Sequence, residues 1–294
     1  FLKWIETYCE KMPWIKCLSE YASLNKTLGF FETVKSRILT SGRMGYGVLY
    51  YGAHTGRASG EGGVNMFNLN KNEAMGTNVR NIFIAAPGKK LITSDLSQIE
   101  PRVAAWTSGE TELLENCRKM SPYIAHGMAR GLIDDYAAFN KARKVNGSFE
   151  AQLYASLKVE ILAGQFGGGA GTALREAEKN KILLAVDEAQ QLITNFRTAR
   201  AGVVRRWAHM WGEFTTRYSM GMDPIEIPIA SGRVLRYCQV HRRESKKPGY
   251  RPDWYAKTSY AAKMAEKIYG SVVFQNETQA LARDVLMDMR RRIV

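Results

Sequence analysis

A carboxylate, Asp95, closes a short run, Lys90-Leu91-Ile92-Thr93-Ser94-Asp95-Leu96, that follows a Pro87-Gly88 turn and leads into Ser97-Gln98-Ile99-Glu100. The run is mostly apolar and reads as a buried strand, and 98–108 reads as a helix. Asp95 would then stand rigidly at the strand's exposed end, beside whatever binds above the sheet. Two roles suit it. An Asp ahead of a helix caps the free N–H groups of the first turn. It can also hold magnesium, a hard ion usually bound by one or two carboxylates plus substrate phosphates. The second role implies phosphoryl transfer, which needs positioned cations more than covalent help from protein. A second group is Tyr154, Lys158, Leu162 and Phe166. At every fourth position they drift by about 40° each and share one helix face. A cation one turn from aromatic and apolar side chains suits a nucleotide; the alternative is an amphipathic helix with Lys158 in water.

These groups sit in a strongly basic chain. Its 294 residues carry 42 Lys+Arg against 28 Asp+Glu, a net charge of +14, which points to a polyanionic partner, nucleic acid first. Cys9, Cys17, Cys117 and Cys238 form no pair at zinc-ligand spacing and read as reduced thiols of an intracellular protein. The start shows no signal-peptide layout, and no apolar run is long enough to cross a bilayer. Nothing implies an oligomer.

The elements that must position the groups alternate in character. Residues 1–40 read as helices, 46–70 as loop and short strand, and 110–220 as mostly helix, with long helices over 151–162 and 187–210. Strand returns over 225–240, a basic loop fills 241–253, and 255–292 reads as one long helix. Strands flanking a large helical insertion predict an α+β fold. The glycine run 164–171 lacks the Lys-Ser/Thr of a Walker loop and follows a helix, so it is not one. His54, His126, His209 and His241 are scattered and read as surface or packing residues. Arg197, Arg200, Arg205 and Arg206, then Arg242-Arg243 and Lys246-Lys247, are candidate phosphate-tracking patches.

Five segments, in order, resemble the family A (DNA polymerase I-like) DNA polymerases, most closely their bacteriophage-type members. Asp95-Leu96-Ser97-Gln98-Ile99-Glu100-Pro101-Arg102 is similar to the family's first metal-binding motif. Upstream, Thr55-Gly56-Arg57 is followed by Asn65 and Asn68. Downstream, Lys158-Val159-Glu160-Ile161-Leu162-Ala163-Gly164-Gln165-Phe166-Gly167-Gly168-Gly169 resembles the nucleotide-binding finger helix. Ser231-Gly232-Arg233 and Gln275-Asn276-Glu277-Thr278-Gln279 through Asp284 resemble two later palm segments.

The resemblance implies a right-hand architecture: thumb-base helices over 1–45, palm over 46–110, fingers over 111–222, and palm again over 223–294, with an antiparallel sheet. It implies a template-directed DNA polymerase that takes deoxynucleoside triphosphates, primer–template DNA and two Mg2+ ions. Asp95 and the carbonyl of Leu96 would bind metal. Gln98, Glu100, Tyr123, Tyr154, Lys158, Leu162 and Phe166 would surround the nucleotide, with Lys158 on the triphosphate and Glu100 excluding a ribose 2′-hydroxyl. Arg57, Asn65, Asn276, Gln279 and Arg283 would hold DNA along the minor groove, where acceptors are nearly the same for every base pair. The chain departs from the family at Tyr154, where Arg is usual and a phosphate partner is lost, at Leu162 and Phe166, and at Leu96, Pro101 and Ser121. The family's second metal-binding Asp, on a His-Asp-Glu hairpin, has no counterpart before Val294. Asp284 and Asp288 read as helix surface. The chain alone is therefore expected to bind primer–template without extending it. A single-subunit RNA polymerase is the alternative, opposed by Glu100; a non-catalytic primer–template-binding fragment is another.

Overall fold

The computed structural model describes residues 8, 12–69, 78–180, 182–245, 249, 251–260 and 262–293. Cys9, Asn70, Lys246 and Lys247 lie outside them. The chain divides into two compact units, Phe1–Asp95 and Leu96–Val294.

Among the described residues of the first unit is a long helix, α1 (Pro13–Lys35), begun by Pro13, whose missing N–H costs nothing in a first turn. A two-stranded antiparallel hairpin follows, β1 (Gly47–Leu49) with β2 (Ser59–Glu61). Two 3-10 turns, Met66–Asn68 and Val79–Ile82, are capped by the side chains of Asn65 and Asn78. The expected buried strand over 90–96 does not form. These residues belong to no strand or helix, and Leu91 and Ile92 are 63% and 91% exposed. An apolar run becomes a strand only where a neighbouring chain completes its ladder, and no described strand pairs with this one.

The second unit opens with helices whose starts are written locally. They are α2 (Ile99–Thr107), α3 (Thr111–Lys119), α4 (Pro122–Ala129), α5 (Tyr136–Ala142), α6 (Phe149–Gly164), α7 (Ala170–Lys179), α8 (Val186–Ala199) and α9 (Ala201–Ser219). Ser121, Asp135 and Ser148 cap α4, α5 and α6 by accepting backbone N–H bonds. The expected single helix over 187–210 breaks at Arg200, whose backbone (φ −119°, ψ 49°) leaves the helical region.

An antiparallel sheet follows, in order β3 (Ile225–Pro228), β4 (Val234–Arg243), β5 (Asp253–Lys257), β6 (Glu266–Ile268). Ile225, Ile227, Leu235 and Tyr237 are buried while Val234 and Arg236 are exposed, the period-two pattern of a sheet covered on one face. Strand therefore replaces two expectations. β4 runs on into the expected basic loop, and β5 and β6 take the first part of the expected long helix. That helix, α10, spans only Gly270–Ile293. Trp254 explains the difference: its ring meets Trp211, Phe214 and Tyr218 of α9, so an extended strand buries it there. α9 packs on both the sheet and α10. The main core joins Phe214, Met210, Tyr237, Phe274 and Leu281 to Ile124, Leu157 and Phe196 of the helical segments. The antiparallel sheet and segregated helices give the α+β class expected. No described helix is long and apolar enough to cross a membrane.

Candidate active site

Asp95 is exposed in the segment that leads into α2, and Leu96 is half-buried. Among the described residues no three His, Cys, Asp or Glu side chains gather as a metal cluster. The turn that follows is firmly held. Gln98 takes a left-handed conformation (φ 51°, ψ 45°), one that costs a side-chain-bearing residue about 1–2 kcal/mol. Its Oε1 accepts a hydrogen bond from Ser121 Oγ at 2.9 Å, which ties the entry of α2 to the cap of α4. Arg102 donates to the carbonyls of Ser97 (3.0 Å), Cys117 and Met120 (3.5 Å), so one guanidinium joins this turn to the end of α3, where helix carbonyls lack partners.

Three of the expected nucleotide residues come together here. Glu100 is half-buried in the first turn of α2, and Tyr123 is buried in the first turn of α4. The Tyr154 ring on α6 meets Tyr123 edge-on, centroids 5.8 Å apart at 78°. Burial first, then the Tyr154 hydroxyl and the Glu100 carboxylate, push the Tyr123 hydroxyl up to about 12. Tyr123 is thus a neutral hydrogen-bond donor at any ordinary pH, not a base. Arg143 lies over the Tyr154 ring, its Cζ 4.3 Å from the centroid.

Lys158 is half-buried, and its Nζ donates to Asn180 Oδ1 at 2.8 Å. A triphosphate bound by Lys158 would take it from that amide. Leu162 is exposed on the same helix. Phe166, expected on the helix face, lies just past the end of α6 and packs against Phe274 at 6.0 Å. Two residues after the Gln165 cap, Gly167 (φ +78°) turns the chain, and an added Cβ there would lie 2.2 Å from Ser271 Oγ.

The expected DNA-holding residues fall into two groups, one in each unit. In the first, Gly56 (φ +86°) turns the chain so that Ala53 N–H reaches the Arg57 carbonyl at 3.1 Å, leaving the Arg57 side chain exposed. Asn65 Oδ1 accepts from Phe67 N–H at 3.0 Å. In the second, Asn276 donates to the Tyr237 hydroxyl at 3.0 Å, Gln279 is half-buried on α10, and Arg283 donates to Asp284 at 3.1 Å. Asp284 is not bare helix surface. It also accepts from Ser231 Oγ (2.6 Å) and Arg233 Nε (2.9 Å), which pins the β3–β4 turn to α10. Asp288 is exposed and pairs with Arg292.

Behind α6 lies a network that no local pattern announces. Glu160 (0% exposed) accepts from His126 Nε2 at 2.8 Å and pairs with Arg130. Arg200 Nε donates to His126 Nδ1 (3.0 Å), and Arg200 Nη1 pairs with Glu110 at 2.9 Å. Because Nδ1 accepts, His126 must be neutral with its proton on Nε2. Two of the arginines expected to track phosphates are thereby reassigned: Arg200 is buried in this network, and Arg206 pairs with buried Glu277. The partners stand 30 or more residues apart, so only the folded chain reveals them.

Burial first, with help from Arg200 and Arg130, lowers the His126 pKa, while Glu160 opposes the shift. The unfolded chain, titrating near 6.5, therefore binds more protons than the folded one as pH falls. Stability contributed by neutral His126 is complete above about pH 6.5 and is lost below it. The urea midpoint should fall between pH 7.5 and 5.5 in the parent and fall less in His126→Gln, which keeps a donor and an acceptor but cannot charge. An equal fall in both would show that other groups carry the acid sensitivity.

Comparisons with known proteins bear on this arrangement. Residues 2–133 match the family described as DNA polymerase family A. A DNA polymerase of Bacillus phage SP02 is 26% identical over 228 residues, which is 71% of this chain and 33% of the phage protein. A solved structure, the POL domain of Pol1 from M. smegmatis in complex with DNA primer-template and dNTP, superposes with a TM-score of 0.53 at 16% identity. It covers 95% of this chain and 41% of that one, so the likeness is one of fold. The chain spans about a third of the length of the phage relative.

Proposed function

We propose that this chain belongs to DNA polymerase family A, whose model its residues 2–133 match, and that it carries the nucleotide-binding and primer-gripping parts of a template-directed DNA polymerase. The reaction is attack of a primer 3′-hydroxyl on the α-phosphate of a deoxynucleoside triphosphate, with pyrophosphate leaving. The meeting of Glu100, Tyr123 and Tyr154 carries the reading. It sets a carboxylate, a neutral phenol and an aromatic face on three different helices, one helical turn from Lys158. In this reading Tyr123 and Lys158 donate to the triphosphate, Leu162 and Phe166 flank base and sugar, Gln98 shapes the turn beside them, and Glu100 fills the space a 2′-hydroxyl needs. Arg57, Asn65, Asn276, Gln279 and Arg283 would grip primer–template DNA. Residues 1–45 serve as thumb base, 46–110 and 223–294 as palm, and 111–222 as fingers. The protein acts inside the cell, where nucleoside triphosphates are found. A DNA polymerase as relative does not favour the RNA polymerase alternative.

The exposed carboxylate of Asp95 and the carbonyl of Leu96 are hard oxygens of the kind magnesium takes. No group of three His, Cys, Asp or Glu side chains gathers among the described residues, and substrate phosphates would complete the coordination. Bound magnesium would stabilise charge on the transferred phosphoryl group.

The natural protein that contains this chain is expected to extend an annealed primer in magnesium with deoxynucleotides, as directed by the template. Glu100→Ala should raise incorporation of ribonucleotides relative to deoxynucleotides by about ten-fold or more, since ~1.4 kcal/mol of lost exclusion is tenfold. Single-nucleotide insertion with matched dNTP and rNTP measures both. No templated extension by the parent would overturn the function, and unchanged discrimination would remove Glu100 from the gate.

A further inference from the structure

The family resemblance implies that a phosphate partner is lost at Tyr154, and the fold places a guanidinium over that residue. Arg143 directly follows α5, and its Cζ stands 4.3 Å above the Tyr154 ring. Its Nε donates to Asn140 Oδ1 at 2.8 Å. Stacking and this hydrogen bond together fix the plane of the guanidinium. The Nη1 and Nη2 groups make no hydrogen bond or ion pair among the described residues, and the side chain is half-buried. A stacked, weakly hydrated guanidinium with two free N–H edges is organised in advance for a phosphate, which it meets with paired donors. Tyr154 also touches Tyr123, whose hydroxyl stays protonated, and shares a helix face with Lys158. One cation and a neutral donor thus meet one ring, and Lys158 follows one helical turn along α6. The negative charge of Glu100, close enough to affect Tyr123, makes a second cation useful to an incoming polyanion.

We propose that Arg143, seated on Tyr154, is a phosphate-binding residue for the incoming nucleoside triphosphate, entering the site from the segment between α5 and α6. The assignment rests on the nucleotide reading of α6 above. The role is one of binding: Arg143 would hold the β- or γ-phosphate, and Tyr154 would supply the platform and not a contact of its own.

The test compares the parent chain with Arg143→Ala, Arg143→Lys and Tyr154→Phe, each first shown to be folded. Each is bound to primer–template and titrated with a complementary dNTP, with the matching deoxynucleoside, and with inorganic tripolyphosphate. Arg143→Ala should weaken dNTP and tripolyphosphate by about ten-fold or more, the size expected for a hydrogen bond between charged groups. It should leave deoxynucleoside and primer–template affinity within two-fold. Arg143→Lys should recover only part of the loss, because an ammonium neither stacks nor forks. Tyr154→Phe keeps the ring and should behave as the parent. If the parent binds dNTP and Arg143→Ala binds it equally well, the inference fails and the nucleotide reading stands. An equal loss for the deoxynucleoside would mean that Arg143 acts only through packing, which also overturns it. A parent chain that binds neither dNTP nor tripolyphosphate overturns the nucleotide reading, and this inference with it.

Discussion

Replacing Asp95 by alanine in the natural protein that contains this chain should slow templated extension by about a thousand-fold or more, while primer–template affinity stays within two-fold. Removing one well-placed source of transition-state charge stabilisation typically costs ~3–4 kcal/mol or more, and each ~1.4 kcal/mol is tenfold in rate. Asp95 stands two residues before the Ser97–Arg102 turn, which Arg102 and the Gln98–Ser121 hydrogen bond both hold. Its carboxylate is exposed, so its loss leaves no buried group without a partner. Single-turnover extension at saturating magnesium and nucleotide separates chemistry from binding. A near-normal rate would remove Asp95 from the metal site, and a collapse of DNA affinity would show that its role was structural.

The largest stability effect should come from Phe214→Ala, a loss of about 3–5 kcal/mol, the usual cost of deleting a fully buried aromatic ring. Phe214 is 0% exposed at the centre of the second unit. It stacks on Trp211 (5.3 Å, 7°) and meets Tyr237 and Trp254 edge-on, at 5.4 and 6.3 Å. Those contacts join α9 to β4 and β5, so the cavity would open along the seam between helix and sheet, where four large rings leave little freedom to collapse. Urea unfolding followed by tryptophan fluorescence measures it, since Trp211 and Trp254 border the ring. A midpoint shift equivalent to less than about 1 kcal/mol would mean that the seam repacks around the gap.

The helices were legible because their signals are local. Ser121, Asp135 and Ser148 cap helices where their residue types say they should, and the face shared by Tyr154, Lys158 and Leu162 is read directly from spacing. The strands were less so. Residues 90–96 have the composition of a strand, but pairing depends on a distant chain and leaves no mark in the run itself. Residues 253–268 contain enough helix-forming residues to pass for helix, yet Trp254 is claimed by α9, some forty positions earlier. The candidate site divides in the same way. Glu100, Tyr123 and Tyr154 could be nominated from their motifs, and the fold brings them together. Arg143 on Tyr154, Asn180 on Lys158, and the chain from Glu110 through Arg200 and His126 to Glu160 join residues whose sequence surroundings look ordinary.

The hairpin of the first unit carries a constraint that acts on inheritance as much as on folding. At Gly60, paired with Val48, a Cβ would lie 2.5 Å from the Cα of Asn65. The obstacle is backbone, and that backbone presents the Asn65 amide that caps the next turn. Every missense change of a glycine codon installs at least a Cβ, so no substitution at this position is mild. Variation in the hairpin should therefore accumulate at solvent-facing Leu49 and Glu61 while position 60 stays fixed. A lineage could alter Gly60 only after the segment carrying Asn65 had moved away.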